Sequence, residues 1–405
     1  MLPHRAARHA AGGVLLAALI FGAWPPAAQA IQVCELNGES INTANGQTTA
    51  GKTGLIRCRD ADTGVLVREQ ELRNGAFMGV LRYFRAGILE REHHVNERGN
   101  RDGIAREFAA TAGATNPLLR EETLRNGTTI GRLRHWHANG KLKSVAHHGD
   151  DGREQAQATF TAQGLLSDLR CAPQPVLAPD ADDASLCGHE GGKPVTATLH
   201  GDNGAVRARL THERGERRKN ETLWDSGQVR EQRETGASSG VERSFSAQGV
   251  KRRELQWVAQ PDGTRTQRVT TLEQEFHESG TLVRERRWRA TERGGELQLE
   301  QAWYLNGQPK EKKEYLQADN PPARRETRFH DNGKLAFEGL WLIKGRYDTQ
   351  ASGTHKHFDE AGRLRQERQH DSRGHVSRER ELDESGRVLR DDEVFEDGSR
   401  KSLGR

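Results

Sequence analysis

Histidine is the residue type whose spacing in this chain most resembles a chemical site. It occurs in close pairs, namely His93 with His94, His135 with His137, His147 with His148, and His355 with His357. Residues two apart on a β-strand share a face, so two of these pairs, 135/137 and 355/357, could each supply half of a metal site. No H-E-x-x-H motif and no cysteine at a matching spacing completes such a site. We therefore predict that the chain binds no metal.

Two short motifs resemble catalytic or nucleotide-binding loops. The stretch "GASSG" at 236–240 matches the G-x-S-x-G pattern of serine hydrolases, with Ser238 at its centre. That motif needs a buried strand before it and a helix after it, whereas "VREQRET" and "VERSFSA" flank it with polar, strand-like sequence. The stretch "GHEGGKP" from Gly188 has one residue too few for a phosphate-binding loop and carries Pro194 where Ser or Thr should bind magnesium. We predict neither an enzyme nor a cofactor site.

Carboxylates and tryptophans give no sharper indication of chemistry. Asp and Glu are spread along the whole chain, so no catalytic pair stands out, and a solvated charged face is the simpler interpretation. Tryptophans fall at strand-like positions, namely Trp136, Trp224, Trp257, Trp288, Trp303 and Trp341. We expect them to pack between repeats, although a solvent-exposed row of these rings would instead indicate glycan binding.

The elements that must carry these residues are short and repeated. Stretches such as "FHDNGKL", "FHESGTL" and "FDEAGRL" recur around glycines at 87, 140, 164, 227, 249, 280, 307, 333, 362 and 386. Toward the C-terminus, Gly362, Gly374, Gly386 and Gly398 follow one another at intervals of 12 residues. Turn signals at this spacing are typical of short antiparallel strands. We predict an all-β fold of tandem antiparallel β-hairpin repeats, which form an elongated or coiled single-layer sheet or solenoid.

The spacing within the repeat also predicts a turn type. A three-residue loop of Asp331, Asn332 and Gly333 would place Phe329 directly opposite Leu335 on one face, with the glycine in the left-handed conformation that ends such a loop. The same logic pairs Trp136 with Leu142, Phe160 with Leu166, Phe276 with Leu282, and Phe358 with Leu364. Each pair contributes about 0.2–1 kcal/mol over alanine, too little for an isolated hairpin, so neighbouring hairpins must stack.

Between the turns, the strands are rich in charge on both faces. Stretches such as "LVRERRW" and "LRQERQH" can form cross-strand ladders of opposite charge, which favour one register. The stretch "GQPKEKKEYLQA" at 307–318 could also form a short helix, because Glu311 and Tyr315 lie one helical turn apart. We favour a strand there as well.

The composition limits the kind of protein this is. Of 405 residues, 33% are hydrophobic and 30% are charged, so a single large core is not expected. Lys and Arg number 62 against 58 Asp and Glu, and this balance gives no electrostatic argument for nucleic acid or for an anionic membrane surface. A thin, regularly patterned structure fits these numbers.

The N-terminus and the cysteines indicate export. Residues 1–30 combine Arg5 and Arg8, a short apolar stretch and an Ala-Gln-Ala end, which is the pattern of a signal peptide cleaved after Ala30; an uncleaved anchor is the alternative. The predicted location is therefore periplasmic or secreted, with no integral membrane segment after cleavage. Four cysteines allow three connectivities, and local spacing favours Cys34 with Cys58 and Cys171 with Cys187 in an oxidising compartment.

Composition shifts divide the mature chain. Residues 31–62 are polar and Gly/Thr-rich, and we predict a disulfide-stapled cap. Residues 171–194 contain four prolines and an acidic stretch, and they predict a disulfide-closed loop or linker. Between and after these segments lie an N-terminal hairpin array (63–170) and a C-terminal hairpin array (195–405).

Two known repeat families share this turn pattern. The stretch 125–152, "RNGTTIGRLRHWHANGKLKSVAHHGDDG", and "RNGAFMGVLRYFRAGILERE" from Arg73 resemble the MORN-repeat variant family. That resemblance implies strings of β-hairpins, and some members of that family carry an antitoxin designation. The C-terminal "FDEAGRLRQERQHDSRGHVSRERELDESGRV" is similar to the YD repeats of large secreted polymorphic-toxin shells, which also repeat a D-x-x-G-R-L turn.

These observations lead to one expectation and two alternatives for function. We expect an exported, non-catalytic repeat scaffold that mediates protein–protein interaction in the bacterial cell envelope. The first alternative is a carbohydrate- or cell-wall-binding protein, and the second is an antitoxin or immunity-like partner of an exported toxin. The expected partner is an envelope or secreted protein, and a glycan is the other candidate.

Overall fold

The computed structural model describes residues 31–110, 116–262, 265–317, 321–345 and 348–404. The predicted signal peptide, residues 1–30, lies outside the described residues. The chain divides into two compact units. Unit 1 contains the described residues up to Gly99 together with Ala110, and unit 2 contains Asn100–Ala109 and every described residue from Asn116 onward.

Unit 1 is built from six strands that pair antiparallel. They are β1 Gln32–Leu36, β2 Glu39–Ile41, β3 Gly54–Asp60, β4 Leu66–Arg73, β5 Ala76–Arg85 and β6 Ile88–Val95, with a short 3-10 helix at Gly46–Thr48. Their spatial order is β6-β5-β4-β3-β1-β2. Consecutive strands from β3 to β6 are therefore neighbours, as in a meander of hairpins.

Unit 2 continues with strands that also pair in chain order. The first group is β7 Arg101–Phe108, β8 Leu118–Arg125, β9 Thr128–Trp136, β10 Leu142–His148, β11 Glu154–Phe160 and β12 Leu166–Arg170. After the short helix α1 (Asp183–Leu186), seventeen further strands form one antiparallel sheet. No helix in the described ranges is long and apolar enough to cross a membrane.

The seventeen-stranded sheet keeps chain order from end to end. Its strands are β13 Val195–His200, β14 Val206–Glu213, β15 Glu216–Leu223, β16 Val229–Thr235, β17 Ser239–Phe245, β18 Lys251–Asp262, β19 Arg265–Phe276, β20 Leu282–Thr291, β21 Gly294–Trp303, β22 Pro309–Leu316, β23 Ala323–Phe329, β24 Leu335–Ile343, β25 Thr349–Phe358, β26 Leu364–His370, β27 Val376–Leu382, β28 Val388–Val394 and β29 Arg400–Ser402. The predicted all-β fold of consecutive antiparallel hairpins is confirmed. The helical alternative for 307–318 is wrong, because Pro309–Leu316 is extended in β22.

The hairpin loops have the predicted length. Phe329 pairs with Leu335, the N–H of His330 donates to the carbonyl of Lys334 at 2.8 Å, and the N–H of Gly333 donates back to His330 at 2.9 Å. The loop is therefore the three residues 331–333. The four other predicted aromatic–leucine pairs have the same register, namely Trp136–Leu142, Phe160–Leu166, Phe276–Leu282 and Phe358–Leu364. The predicted turn type is confirmed at all five turns.

A β-bulge follows each of these turns, and the sequence did not predict it. Beyond the Phe329–Leu335 pair, Arg328 pairs with Phe337, so Ala336 is left over on the outgoing strand. The same shift of one residue follows the turns at Gly140, Gly164, Gly280 and Gly362. An inserted residue bends its strand and increases the local twist. Each repeat thus carries its own source of twist next to its turn.

Apolar residues are gathered in small clusters rather than in one large core. In unit 1, the cluster contains Leu36, Ile41, Ile56, Leu72 and the Cys34–Cys58 disulfide, which joins directly paired positions of β1 and β3. In unit 2, a second cluster combines residues of β10 to β14 with residues of the segment 171–194. The predicted disulfide pairing is confirmed in both places.

The proline-rich segment 171–194 is packed into that second cluster. Leu177 and Cys187 are fully buried. The buried carboxylate of Asp183 accepts hydrogen bonds from the N–H groups of Val176 at 2.6 Å and Leu177 at 2.9 Å, which fixes the segment ahead of α1. The segment is thus closed by the Cys171–Cys187 disulfide and also supplies apolar side chains to the core of unit 2.

Candidate interaction surface

Alternating charges cross the strands of unit 1 in a ladder. The register places Arg57 on β3 opposite Glu69 on β4, Glu69 opposite Arg82 on β5, and Arg82 opposite Glu92 on β6. The successive nitrogen–oxygen distances are 3.1, 3.3 and 3.1 Å. Strand pairing thus brings together opposite charges that lie 10 to 13 residues apart in sequence.

Two further ladders lie in unit 2. Glu121 on β8 contacts Arg106 at 2.7 Å and Arg134 at 2.8 Å, and Arg134 contacts Asp180 at 2.9 Å. The second ladder runs from β18 to β21 through Arg253, Glu273, Arg286 and Glu300, at distances of 2.6, 3.3 and 3.4 Å. Each exposed pair adds less than about 1 kcal/mol, so the main effect of a ladder is to favour one register. The predicted cross-strand ladders are confirmed.

Carboxylates in the middle of strands lie beneath the arginines that pair with them. Glu379 on β27 is 4% exposed and is contacted by Arg400 Nη1 at 2.5 Å, Arg368 Nε at 2.9 Å and Arg390 Nη2 at 3.3 Å. The three arginine side chains are 42–43% exposed. Burial opposes ionisation of Glu379, but the hydrogen bonds from Arg400 and Arg368 outweigh it and hold its pKa below the ordinary value.

Asp391 on β28 has a similar environment. Arg378 donates two hydrogen bonds of 2.7 Å to its carboxylate, and Arg380 lies 3.3 Å away. These hydrogen bonds, chiefly from Arg378, lower the pKa of Asp391 against the opposing effect of burial. Other buried carboxylates lie under exposed arginines in the same way, namely Glu285 under Arg287 and Glu326 under Arg328.

Asparagines in the turns connect each repeat to the next one. The amide of Asn332 donates to the carbonyl of Glu360 in the following turn at 2.7 Å, while its Oδ1 accepts from the N–H of Lys334 at 2.9 Å. Equivalent bonds to the following turn run from Asn139 to Ala162 and from Asn306 to Asp331. The recurring Asn-Gly dipeptide is the sequence signal of this role, which the turn pattern alone did not predict.

At four turns, the residue just before the loop makes a second contact of this kind. Its side chain donates to the carbonyl of an aromatic residue in the next repeat, as in His137 to Phe160, Trp224 to Phe245, Tyr304 to Phe329 and His330 to Phe358. These hydrogen bonds span 2.9–3.3 Å. The turns around Gly140, Gly227, Gly307 and Gly333 are therefore tied to the following repeat by side-chain donors.

The ten glycines that mark the repeat occupy left-handed backbone positions. Their φ angles lie between 80° and 92°, at Gly87, Gly140, Gly164, Gly227, Gly249, Gly280, Gly307, Gly333, Gly362 and Gly386. At Gly386 nothing lies within 4 Å of the position a Cβ would take, so backbone conformation rather than crowding explains glycine there.

His355 and His357 both pack against the ring of Phe337. His355 is buried, its Nε2 bonds the carbonyl of Leu340 at 2.8 Å, and its ring lies 4.8 Å from Trp341 and 4.3 Å from His370. Burial, as the main cause, lowers the pKa of both His355 and His357. Within the described ranges, no group of three or more His, Cys, Asp or Glu is placed to hold a metal ion.

The two motifs that resemble catalytic loops lie in ordinary connections. Ser238 is exposed in the turn between β16 and β17, and its carbonyl accepts from the N–H of Ala259 at 2.7 Å. Gly188 follows α1, and its carbonyl accepts from the N–H of Arg214 at 3.0 Å. A Cβ on Gly188 would lie 2.7 Å from the carbonyl oxygen of His212, so this glycine is explained by close packing.

The six tryptophans of the strand-like positions are all at least partly buried. Trp257 is buried and the others are half-buried, namely Trp136, Trp224, Trp288, Trp303 and Trp341. The guanidinium of Arg268 lies 4.4 Å from the Trp257 ring, and that of Arg230 lies 5.0 Å from the Trp224 ring. These six residues do not form the solvent-exposed row that the glycan alternative requires.

Comparison with known proteins assigns no family. No protein-family model and no curated protein matches the chain. The chain aligns over 91% of its length with the TcdB2-TccC3-Cdc42 crystal structure, at 11% identity and a TM-score of 0.17, and covers 19% of that chain. It aligns over 86% with the Photorhabdus luminescens Tc holotoxin pore, at 10% identity and a TM-score of 0.16, and covers 23% of that chain. It therefore spans about a fifth of the length of these chains, and the low scores carry no argument about function. The MORN and YD resemblances stay predictions.

Proposed function

We propose that this repeat-rich chain is an exported, non-catalytic scaffold that binds another protein in the bacterial cell envelope. The ion-pair ladders support this proposal, because they present charged groups at fixed, repeated positions on the strands. Electrostatic complementarity of this kind determines which partner binds and how it is oriented. The two disulfides fit an oxidising extracellular or periplasmic compartment.

The grooves on the seventeen-stranded sheet support binding by a surface rather than in an enclosed pocket. A groove of about 350 Å³ over β15–β18 is lined by the paired Arg233 and Glu242, which are 2.9 Å apart. A second groove, of about 570 Å³, is lined by Glu300, Lys313 and Arg328. Both are bounded by strand side chains that already form ion pairs or cation–π contacts, so a partner would meet an ordered polar surface.

Site-specific photocrosslinking tests the proposal. A photoreactive amino acid replaces Gln267, an exposed residue on β19 beside the β18–β21 ladder, and in a control variant it replaces Arg153, an exposed turn residue. In the envelope fraction, we expect one discrete protein adduct from position 267 and none from position 153. Equal adducts from both positions, or no protein adduct from strand positions, would contradict the scaffold function.

A further inference from the structure

We infer that the face of β26–β29 that carries Arg368, Arg390 and Arg400 binds a carboxylate-rich segment of the partner protein. This inference rests on the proposed scaffold function and names the chemistry of its partner. We call these three residues the arginine triad. The triad is the densest convergence of guanidinium groups on one buried carboxylate that the described ion pairs show.

On this face the carboxylates are buried and the guanidinium groups are exposed. Glu379 lies beneath the triad with 4% of its side chain exposed, and Asp392, which is 2.8 Å from Arg390, is 9% exposed. The triad itself is more than two-fifths exposed. A partner therefore meets guanidinium groups first, although Arg and Lys barely outnumber Asp and Glu in the whole chain.

The triad retains hydrogen-bonding capacity. A guanidinium group carries five N–H donors in a planar fork and accepts none. Glu379 engages Arg400 through Nη1 and Arg368 through Nε, which leaves other donors on the same exposed groups. Glu381 is the one exposed carboxylate within 4.0 Å of a triad residue among the described ion pairs, and it lies at that limit from Arg390.

Buried Glu379 also fixes the positions of these groups. Because it contacts all three arginines, their heads are held together before any partner binds. The backbones of Arg368, Arg390 and Arg400 lie on β26, β28 and β29, which span three strand spacings, or about 14 Å, while their guanidinium groups converge on Glu379. Preorganised donors lose less conformational entropy when a ligand binds.

Carboxylates fit this face better than a nucleic acid or a sulfated polymer. Nucleic-acid binding draws its affinity from contacts to many phosphates along a strongly cationic surface, whereas this face presents three arginines beside the buried Glu379 and Asp392. The planar fork of arginine matches the two oxygens of a carboxylate in a bidentate pair. An acidic segment laid over β26–β29 would present its carboxylates to these converging guanidinium groups.

Direct binding measurements with the full chain test this inference. The probe is fluorescent poly-L-glutamate, with poly-L-lysine and heparin measured alongside. The test variant is Arg368→Gln with Arg390→Gln and Arg400→Gln. The charge-matched control changes three arginines near or in turns outside β26–β29, Arg125→Gln, Arg153→Gln and Arg293→Gln. Arg400→Gln alone, on the edge strand β29, provides a milder variant if the triple variant does not fold, as judged by circular dichroism.

We expect poly-L-glutamate to bind the unmodified chain and the triad variant to bind it at least about tenfold more weakly, which corresponds to loss of one charge-assisted pair. Arg400→Gln should weaken binding by about threefold, and the control variant should retain the original affinity. Equal loss in the control, stronger binding of heparin that also depends on the triad, or no binding of poly-L-glutamate would overturn the inference. If these outcomes occur while photocrosslinking at position 267 still yields one protein adduct, the scaffold function stands and only the acidic partner is rejected.

Discussion

Glu379 shows how a single buried carboxylate can organise its surroundings. It accepts hydrogen bonds from Arg368, Arg400 and Gln366, and its charged form is favoured despite burial. Removing the charge from such a group leaves several donors without their acceptor. Exposed ion pairs, in contrast, contribute little to stability because water and salt screen them.

Replacing Glu379 with Gln should therefore destabilise the chain, and the matched exposed position should not. We expect Glu379→Gln to lower the free energy of unfolding by about 2 kcal/mol, measured by urea unfolding followed by circular dichroism. The control is Glu384→Gln, because Glu384 is 76% exposed and lies 3.6 Å from Arg363. Equal effects of the two substitutions would show that burial beneath arginines does not matter.

His212 is a buried histidine of the described chain whose pKa is strongly lowered. It is 1% exposed, and burial, followed by the charge of Arg217, lowers its pKa from 6.5 to about 4. Because the folded-state pKa lies below the ordinary value, unfolding takes up a proton between these two pH values. The free energy of unfolding should therefore fall as the pH is lowered from about 6.5 toward 4.

Replacing His212 with Leu should remove part of this acid sensitivity. Between pH 7 and pH 4.5, we expect the unmodified chain to lose about 2–3 kcal/mol more stability than His212→Leu does. Urea unfolding at both pH values measures the difference. Identical losses in the two proteins would contradict the assignment of this effect to His212.

Two hairpin turns allow the cost of backbone conformation to be separated from the cost of side-chain crowding. Gly386 and Gly333 have nearly the same φ, 82° and 80°. A Cβ would meet nothing within 4 Å at Gly386, but would lie 2.5 Å from Gln308 Oε1 at Gly333. An alanine at either position would therefore have a strained backbone, but only at Gly333 would its Cβ also meet a neighbouring side chain.

Alanine substitution at the two glycines should reveal this difference. We expect Gly386→Ala to lower the free energy of unfolding by about 1 kcal/mol and Gly386→Asn to cost less, because asparagine tolerates the left-handed region. Gly333→Ala should cost more than Gly386→Ala unless Gln308 moves freely, so Gly333→Ala is also measured with Gln308→Ala. If Gly386→Ala is neutral, the turn does not require a left-handed residue.

The hydrogen bond from Asn332 to the next turn should stabilise the stacking of hairpins. Asn332→Asp removes the donor to Glu360 but keeps the acceptor for Lys334, and we expect a loss of about 1 kcal/mol. Asn203→Asp is the matched control, because the described hydrogen bond of Asn203 uses only its side-chain oxygen. Hydrogen exchange at residues 358–364 should increase in Asn332→Asp and stay unchanged in Asn203→Asp. Unchanged exchange in both variants would reject the link between turns.

The sequence predicts local structure better than it predicts the links between repeats. The pairing of Phe329 with Leu335 follows from their spacing around Gly333, because both residues lie on one hairpin. The bulge after Leu335 leaves no mark in the alternation of apolar residues, since bulged positions such as Ala336 and Arg365 vary in type. The acceptor of Asn332 lies in the next repeat, so its role becomes visible only when the turns are stacked.

At the scale of the whole molecule, the apolar residues form small, separate clusters. In an array of this kind each repeat is stabilised mainly by its neighbours, so a local change should have local effects. The Cys171–Cys187 disulfide is well placed to test this, because it closes a loop of sequence separation 16 within the apolar cluster of unit 2.

Removing that disulfide should loosen the cluster and leave distant hairpins intact. For Cys171→Ala with Cys187→Ala, we expect the cluster to lose about 3 kcal/mol of stability, with faster hydrogen exchange in β12, α1 and β13. Exchange in β26–β28 should not change. Uniformly faster exchange over all of unit 2 would show that its strands unfold as one cooperative unit.

Composition and repeats predict the all-β architecture and the absence of one large core, because both depend on residue counts and spacing. The environment of Glu379 could not be predicted in this way. Its burial depends on three arginines that come together from β26, β28 and β29, and the sequence shows only nearly equal numbers of acids and bases. For the same reason, the segment 171–194 was expected to be a loop or linker although Leu177 and Cys187 are fully buried.

Affinity capture of the tagged full chain from its own envelope fraction, after crosslinking in cells, tests the scaffold function most directly. Mass spectrometry then identifies and quantifies whatever copurifies. We predict a single protein partner at a fixed stoichiometry, crosslinked to strand faces that carry the ion-pair ladders. Recovery of wall fragments or glycan without a protein partner would contradict the scaffold function and favour carbohydrate binding.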